Sequence, residues 1–359
     1  YFSYINDFLL EIWYNLGGDT MGKIKYLIGR IGNMSFKNMF STIDEIHNRT
    51  NKSKVYLFFD MIICAIRYQS GYVDYLLFEM WDLNSKERKT VLTRGKNNIF
   101  VRYYNNKDYN HIFLNKSEFN EKFRDYLNRE YIILNNNKEE FLKFIKNKKI
   151  VFCKPINGTH GDSMEKIVIK DFVGDLYDYL VKKGLLLVEE VVIQCELMNK
   201  LYPYSINTVR VITVHRYDGD VRIVAAYQRI GNHGRIVDNY NGGGMVVPIN
   251  EKTGIIEYPA VDKLKNVYYK HPMTNTSIVG FKIPKYKEVI ELAKKASLVV
   301  DEVRYVGWDI AVTDKGPVII EGNEYPGHDI YQLPVHRTNN IGVLPKFEES
   351  LGKIKDLTK

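Results

Sequence analysis

The segment YVGWDIAVTDKGPVIIEGNEYPG, residues 305–327, contains two apolar, β-branched runs on either side of an Asp-Lys-Gly triplet. Such runs around a turn triplet predict a β-hairpin. If residues 314–316 form the loop, with Gly316 in the left-handed region, Thr313 pairs with Pro317. This register fixes which side chains of the two strands face each other.

In that register Asp309 falls directly opposite Glu321, and Asn323 shares the face of Glu321 because side chains alternate along a strand. Two carboxylates that face each other across a ladder repel unless a cation lies between them. Carboxylate and amide oxygens are ligands that Mg²⁺ accepts, usually together with substrate phosphates. Taken alone, Asp309 is what an ordinary hairpin with solvent-exposed acidic residues would contain. The Glu-x-Asn pair at the end of an apolar strand favours a metal–nucleotide site instead.

The chain of 359 residues is long enough for two or three domains with ample core. A content of 45% hydrophobic and 26% charged residues is typical of a globular protein. The net charge of +8 is compatible with nucleic acid, an anionic membrane face or an acidic substrate. Because no Arg-rich tract and no nucleic-acid motif is present, we expect no nucleic-acid partner.

The three cysteines, Cys64, Cys153 and Cys195, lie far apart without a C-x-x-C motif, which predicts a reducing compartment and no zinc site. The apolar run at residues 55–66 contains Asp60 and is too short to span a bilayer. The first residues lack the basic and apolar regions of a signal peptide. We therefore expect a cytoplasmic protein without a transmembrane segment, and peripheral membrane association stays open.

Apolar residues at spacings of three and four predict a mainly helical region over residues 1–105. A polar, turn-rich stretch at residues 103–110 then indicates a boundary. Further along, the amphipathic pattern of residues 286–299 predicts a helix that packs on a sheet. The segments with helical spacing in the first region are residues 8–16, 21–31, 39–49 and 55–81.

The middle of the chain predicts strands around a small-residue loop. IVFCKP predicts a strand that ends in Lys154, residues 157–161 form the loop, and a second strand follows at residues 164–169. Backbone N–H groups of such a loop can converge on phosphate oxygens. The loop lacks the Walker pattern, however, and taken alone it is more typical of a plain hairpin turn.

Charged residues interrupt several apolar strands. The run at residues 185–194 carries Glu189 and Glu190, and because buried charges are costly unless satisfied, it favours the edge of a cleft. Residues 205–244 alternate as in an antiparallel sheet, and Arg210 and Arg229 lie among Val, Ile and Ala. Such a pair favours a shared anionic site over a solvent face. The glycines at 242–244 allow a backbone close to a ligand, or merely a flexible turn.

Taken together, these segments resemble ATP-grasp proteins, and in finer detail the sugar-transfer-associated ATP-grasp proteins encoded with polysaccharide assembly systems. The resemblance implies an α+β ATP-grasp fold in which two lobes hold ATP. It implies a helical region at residues 1–105, a small nucleotide-binding lobe at 106–190, and a large lobe with the metal and substrate site at 191–359. The resemblance covers residues 110–335 and rests on LNKSEF, KPINGTHGDSM, VEEVVIQ, SINTVRVITV, QRIGNHGRIVDNYNGGG, HPMTNTSIVGFKIP and VGWDIAVTDKGPVIIEGNEYPGH.

The resemblance also implies ATP and Mg²⁺ as cofactors and assigns residues to them. The loop departs from the family pattern at His160 and Asp162, where glycine is more commonly expected, and a carboxylate at position 162 is unfavourable beside phosphates. The implied nucleotide contacts are Lys116, Lys154, Gly158, Gly161, Ser163, Glu189, Glu190, Val191 and Val192. The implied metal ligands are Asp309, Glu321 and Asn323. Arg210 and Arg229 would steady the transferred phosphoryl group and the activated acid. The residues expected on the substrate side are Asn207, Asp238, Asn239, Gly243, Gly244 and His328.

These expectations describe an ATP- and Mg²⁺-dependent carboxylate–amine ligase that acts through an acyl phosphate. Its partners would be small-molecule or glycan substrates, with an amino acid or amine attached to a cell-surface polysaccharide or its precursor. One alternative is a kinase for a sugar hydroxyl, for which the motifs offer only His328 or Asp238 as a general base. Another is a non-catalytic module that binds nucleotide or glycan, against which the set of Asp309, Glu321 and Asn323 argues.

Overall fold

The computed structural model describes residues 35–158 and 164–358. The chain divides into two compact units, Tyr1–Leu83 and Asn84–Lys359. The three-part division expected from the sequence, with limits after residues 105 and 190, stays a prediction. The predicted helices at residues 8–16 and 21–31 and the predicted nucleotide contacts Gly161 and Ser163 lie outside the described residues.

The first unit is helical in its described part, as the sequence predicts. The apolar pattern at residues 55–81 forms two helices and a short turn, because Gln69 adopts a left-handed conformation that ends the first helix. Inside this unit the Tyr75 hydroxyl donates to a buried Asp60 oxygen at 2.6 Å. The elements are α1 (Phe36–Thr50), α2 (Lys54–Tyr68), α3 (Tyr72–Leu77) and a 3-10 turn (Met80–Asp82).

The second unit contains short helices around two sheets. The predicted amphipathic helix is confirmed as α12, and its buried face includes Val289 and Ala293. In the described part of the chain, no helix has the length and apolar character needed to cross a membrane. The helices are α4 (Ser85–Thr90), α5 (Arg94–Tyr104), α6 (His111–Leu114), α7 (Lys116–Lys122), α8 (Arg124–Leu127), α9 (Lys138–Ile145), α10 (Leu176–Lys183), α11 (Glu196–Leu201), α12 (Tyr286–Ala296), α13 (Leu344–Leu351) and α14 (Ile354–Leu357), with short 3-10 turns between them.

The smaller sheet has four antiparallel strands in the order β1-β4-β2-β3. The two predicted strands around the glycine loop are confirmed as β2 and β3, while the apolar run at residues 185–194 forms a strand only in its middle. Val151 and Val188 pack against Phe141 and Leu180 in one core. The strands are β1 (Tyr131–Ile133), β2 (Ile150–Lys154), β3 (Glu165–Val168) and β4 (Leu187–Glu190).

The larger sheet has seven antiparallel strands in the order β11-β10-β5-β6-β7-β8-β9. It contains two of the antiparallel strands predicted for residues 205–244 and the hairpin predicted at residues 305–323. The third predicted strand begins only at Met245, because residues 236–244 form a loop with a 3-10 turn at Tyr240–Gly242. Its strands are β5 (Val209–His215), β6 (Val221–Ile230), β7 (Met245–Pro248), β8 (Ala260–Asp262), β9 (Val267–Tyr268), β10 (Tyr305–Thr313) and β11 (Gly316–Asn323).

One face of the larger sheet is apolar. Val211, Trp308 and Ile310 belong to a core that also contains Phe119 and Phe123. The ring of Trp308 meets that of Phe123 at a centroid distance of 5.3 Å. Because side chains alternate along a strand, the residues between these core positions project from the opposite face.

The turn of the β10–β11 hairpin is tighter than the sequence predicts. Thr313 pairs with Gly316, so that the expected pairing of Thr313 with Pro317 is wrong by one residue. The Thr313 hydroxyl donates to the Gly316 carbonyl at 2.7 Å and accepts from the Lys315 N–H at 3.2 Å, which holds the short turn. Gly316 has a φ of +133°, in keeping with its predicted positive φ.

Candidate active site

Three charged residues form one row across neighbouring strands of the larger sheet. Asp309 on β10 pairs with Arg210 on β5 and, on its other side, with Glu321 on β11. A β-bulge leaves Ile320 unpaired and offsets the one-residue difference in the turn. Asp309 therefore faces Glu321 as the sequence predicts, on the face opposite Trp308.

Asp309 forms the centre of a buried ion cluster. The side chain of Arg210 donates through Nε to Oδ1 and through Nη2 to Oδ2 of Asp309, the latter at 2.6 Å, and Arg229 Nη1 also donates to Oδ2. Burial alone would raise the pKa of Asp309, but the charges of Arg210 and Arg229 hold that pKa well below its ordinary range. The two arginines thus share one anion, which is Asp309 itself, and their predicted role towards a bound acid or phosphoryl group stays a prediction.

Asp238 holds Arg229 from the other side. Its carboxylate accepts from the backbone N–H of Thr208 at 2.8 Å and from the Thr208 hydroxyl at 2.5 Å. Arg229 Nη2 lies 3.0 Å from the other Asp238 oxygen. These contacts fix the loop after β6 against the start of β5, and they occupy both oxygens of the carboxylate.

Glu321 is the member of the row that stays open to the cavity. Its side chain remains 44% exposed, and its nearest arginine nitrogen, Arg210 Nη2, lies 4.0 Å away. Partial desolvation by the surrounding walls, followed by the charge of Asp309, raises the pKa of Glu321. Asn323 lies two residues further on the same face, and its amide donates to the Gly307 carbonyl at 3.4 Å. The row therefore presents one incompletely neutralised carboxylate and one amide oxygen.

This donor set fits Mg²⁺ at Glu321 and Asn323. Mg²⁺ usually takes one or two carboxylates from a protein and keeps water or phosphate oxygens in its other positions. Asp309 could join such a set only by sharing oxygens that already accept from arginines, so its predicted role as a ligand stays a prediction. Among the described residues no group of three or more His, Cys, Asp and Glu side chains is arranged to hold a metal ion.

A cavity of about 280 Å³ lies beside the polar row, and a smaller cavity of about 70 Å³ adjoins it. Lys154, Glu189 and Glu321 line both cavities. Asp309 and Arg229 reach the larger one. The larger volume is close to the ~300 Å³ lower limit of small-molecule pockets.

Lys154 and Glu189 form a second ion cluster in the cavity wall. Lys154 Nζ lies 2.5 Å from Glu189, and the Arg129 guanidinium lies 3.1 Å from the same carboxylate. Asn120 donates its amide to Glu189 at 2.7 Å. Burial alone would raise the pKa of Glu189, but the charges of Arg129 and Lys154 lower it to about 2. Glu189 is therefore a charged wall residue of the cavity, which agrees with the cleft edge predicted from its sequence context.

The predicted lysines converge on the smaller cavity. Lys116 and Lys154 both line it, together with Gly158. Lys116 Nζ donates to the Gly158 carbonyl at 2.5 Å, and its backbone N–H donates to the Ile156 carbonyl at 3.0 Å. Desolvation lowers the pKa of Lys116. Two cations and the start of the glycine loop therefore share one small space.

The other predicted nucleotide contacts among the described residues line the larger cavity. Glu190 ends β4, and Val191 and Val192 follow it directly. Phe152 and Ile320 contribute further apolar side chains to the lining. A cavity with an apolar part and a cationic part suits a ligand with a flat apolar ring and anionic groups.

Asn207 does not reach either cavity wall. It is fully buried, and its amide donates to the carbonyls of Met198 and Tyr202 at 3.0 and 2.8 Å. Its oxygen accepts from the Gly231 N–H at 3.1 Å. Its backbone N–H and its amide both donate to Gln194. Asn207 thus ties backbone segments together, and its predicted contact with a substrate is replaced by this structural role.

The other predicted substrate residues separate into two groups. Asp238 and Asn239 line the larger cavity. A Cβ atom at Gly244 would lie 2.3 Å from the Asp238 carbonyl oxygen, so that close packing requires glycine at this position. Gly243 has a φ of +94°, and His328 is buried.

The sequence gives no comparable signal for Arg129, Asn120 and Thr208. Arg129 stands beside Glu130 in the ordinary polar string LNREY ahead of a strand, and Asn120 lies in a polar helix. Arg129 and Asn120 contact the cavity wall through Glu189, which is distant from them in the chain and becomes their neighbour only in the folded protein. Thr208 in the same way contacts Asp238. A buried glutamate in an apolar run requires a cation, and that requirement is the one indirect sign of Arg129.

The chain belongs to the family of sugar-transfer associated ATP-grasp proteins, whose pattern matches residues 159–346. This agrees with the α+β ATP-grasp fold and the family expected from the sequence motifs. None of the curated protein sequences matches the chain.

Solved ATP-grasp structures are also similar to the chain. A complex of the ATP-grasp ligase PsnB with minimal precursor is 15% identical, with a TM-score of 0.42, and the match covers 71% of this chain and 64% of that one. An ADP complex of purK, N5-carboxyaminoimidazole ribonucleotide synthetase, is 11% identical with a TM-score of 0.39, over 60% of this chain and 46% of that one. D-alanine–D-alanine ligase from Bacillus anthracis is 11% identical with a TM-score of 0.40, over 69% and 70% of the two chains. The chain thus spans less than two thirds of the length of the first two.

Proposed function

We propose that the chain is an ATP- and Mg²⁺-dependent ligase that joins a carboxylate to an amine through an acyl phosphate. The observation that carries this proposal is the lining of the two adjoining cavities. Lys116, Lys154 and Glu321 line the smaller one. Lys154 and Glu321 also line the larger one, together with Asp309 and Arg229. This arrangement supports ATP lying with its base near the apolar wall and its phosphates between the lysines and Glu321.

Each residue then has a defined task. The lysines bind phosphate oxygens as point charges. Glu321 and Asn323 would hold Mg²⁺, which when bound neutralises phosphate charge. Arg229, fixed by Asp309 and Asp238, presents a rigid guanidinium to the cavity. It is suited to orient an anionic acid or phosphoryl group, because its donors are preorganised.

The proposed reaction has two balanced steps. A carboxylate oxygen of the acid forms a bond to the γ-phosphorus while the bond from that phosphorus to the ADP oxygen breaks. The amine then forms a bond to the acyl carbon, the bond from that carbon to the phosphate oxygen breaks, and the amine loses a proton. Positioning and charge stabilisation contribute most of the acceleration in such transfers.

The environment of Asp238 favours a ligase over a kinase. A sugar kinase would need a general base within reach of a hydroxyl. Both oxygens of Asp238 already accept from Thr208 or pair with Arg229, and His328, the other candidate base, lines neither cavity. A carboxyl acceptor needs no such base, because its oxygen is already ionised at neutral pH. The sugar-transfer association of the family supports a glycan or glycan precursor as one of the two substrates.

Hydroxylamine trapping tests the proposal. The purified chain is incubated with ATP, Mg²⁺ and a panel of amino acids and sugar acids, with hydroxylamine as the amine. We expect one acid to give a hydroxamate together with ADP and free phosphate, and Arg229→Ala to abolish trapping while ADP still binds. A stable phosphate ester without free phosphate would establish a kinase instead, and no ADP with any acid would favour a binding module.

A further inference from the structure

Arg129 connects the two sheets at the cavity. It lies just before β1, yet its Nη1 donates to the Ile319 carbonyl of β11 at 2.6 Å and its Nη2 to the Ile320 carbonyl at 3.2 Å. The same Nη2 donates to Glu189 on β4 at 3.1 Å. The side chain is only 3% exposed. One planar guanidinium thus contacts a strand of each sheet.

The carbonyls that Arg129 contacts lie at the β-bulge. Ile320 has no partner in the β10 ladder, and groups at a bulge need other partners. The next residue is Glu321, which lines both cavities. Arg129 therefore holds the segment that places Glu321 opposite Asp309.

The two cations at Glu189 differ in how freely each can also contact a bound phosphate. Lys154 carries a compact ammonium with three donors on a flexible stem, so that it can turn towards a phosphate. Arg129 is anchored by two carbonyls and stays with the carboxylate. A buried carboxylate that loses its cation is costly. Arg129 and Asn120 remain beside Glu189 when the charge of Lys154 is drawn to a ligand.

We propose that Arg129 is a positioning residue for nucleotide binding. It neutralises Glu189 independently of Lys154, and this leaves the Lys154 ammonium available to phosphate oxygens. The inference rests on the proposed use of ATP. It predicts a specific coupling, in which the effect of Arg129 on nucleotide affinity depends on the charge of Glu189.

A double-mutant cycle with ADP as the ligand measures this coupling by calorimetry. We expect Arg129→Met to weaken ADP binding about tenfold, or ~1.4 kcal/mol, because Lys154 is then the one cation of the described residues that still pairs with Glu189. In the Glu189→Gln background the same substitution should change affinity by less than about twofold. Equal losses in the two backgrounds would mean that Arg129 acts only through the carbonyls of β11, and would overturn the proposal.

Two further variants keep the test decisive. Arg129→Lys retains the charge but not the planar fork, and it should recover most of the affinity lost in Arg129→Met; this comparison carries the test if Glu189→Gln does not fold. Arg124→Met removes an exposed arginine that pairs with Glu121, and it should leave ADP binding unchanged. Unchanged binding in Arg129→Met would overturn the positioning role alone. A wild-type chain that binds no ADP would overturn the proposed function as well.

Discussion

Two buried ion clusters of similar composition lie at the same cavity, and each places a carboxylate between two cations. Around Asp309 both cations are arginines on the same sheet, and Arg210 binds it through two nitrogens. Around Glu189 one cation is Lys154, and the other is Arg129 from a different segment of chain. The two clusters therefore differ in how firmly their cations are fixed.

The difference follows from the side chains themselves. A guanidinium that binds both carboxylate oxygens has one geometry, whereas an ammonium is a point charge that can exchange partners. The Asp309 cluster therefore provides a fixed frame in the large sheet, and the Glu189 cluster provides an exchangeable cation beside it. A phosphoryl-transfer site needs both properties, because phosphates must enter while the reacting groups stay aligned.

The first prediction compares removal of one partner from each cluster. Asp309→Asn leaves the buried Arg210 without its paired carboxylate and removes one of the two carboxylates that hold Arg229, and we expect the free energy of unfolding to fall by ~3–5 kcal/mol. Lys154→Met should cost less, ~1.5–3 kcal/mol, because Glu189 keeps Arg129 and Asn120. Urea unfolding of the two variants measures both values. Equal losses would contradict the distinction between a fixed and an exchangeable cluster.

The second prediction concerns the carboxylate that stays open. Glu321→Gln should lower turnover by ~10²–10³-fold while leaving the unfolding midpoint nearly unchanged, because it removes an electrostatic stabiliser without opening a cavity. Initial rates of ADP formation over a Mg²⁺ titration measure the effect. Asp314→Asn in the exposed turn of the same hairpin is the control. Near-normal turnover with a normal Mg²⁺ dependence would remove Glu321 from the proposed site.

The third prediction uses the low pKa of Glu189. Because the folded pKa of Glu189 is about 2, this carboxylate contributes stability that is fully present above its higher unfolded pKa. That stability is lost as the pH falls from the unfolded pKa towards the folded one. The unfolding free energy of the wild type should therefore fall more steeply between pH 5 and 3 than that of Glu189→Gln. Glu190→Gln, at the exposed neighbouring position, should follow the wild type. Parallel curves for Glu189→Gln and wild type would refute the ion cluster.

The smallest effect is expected at Gly307, on the face of the polar row. A Cβ atom there would lie 3.0 Å from Ile212 Cδ1 and 3.3 Å from Arg210 Cδ. Gly307→Ala should displace Arg210 slightly and cost ~1 kcal/mol of stability, with a modest loss of turnover. Gly242→Ala, where the new atom would be at least 3.6 Å from its neighbours, is the matched control. Equal behaviour of the two variants would mean that the position of Arg210 is not critical.

The two clusters also differ in how far the sequence predicts them. In the Asp309 cluster the placement of Asp309 opposite Glu321 is predictable, because both lie in one hairpin whose register and period-two alternation determine their faces. The approach of Arg210 and Arg229 to Asp309 depends on the pairing of β10 with β5, which are distant in sequence. Within this hairpin the predicted loop is one residue too long, and the bulge at Ile320 restores the pairing of Asp309 with Glu321. A shorter turn and a bulge that compensate each other do not change the pattern of apolar residues, so that this pattern does not predict them.

The Glu189 cluster is predictable only in part. An apolar run with a glutamate indicates that some cation must reach it, but Arg129 is distant in sequence and belongs to a segment without a motif. For Asn207 the sequence predicts a substrate contact that the structure replaces with a structural role. A polar residue ahead of a strand of the site resembles a ligand contact, whereas its amide satisfies backbone groups around Gln194. Whether such a polar residue contacts a ligand or the backbone depends on which distant segments of the chain pair in the fold.

A crystal structure of the chain with Mg²⁺ and a non-hydrolysable ATP analogue tests the proposed nucleotide site itself. We expect the base against Val191 and Val192, the β- and γ-phosphates within hydrogen-bond distance of Lys154 and Lys116, and the metal ion at Glu321. Arg129 should still donate to Glu189 in that complex. A nucleotide bound elsewhere, or phosphates turned away from Lys154 and Glu321, would refute the proposed site.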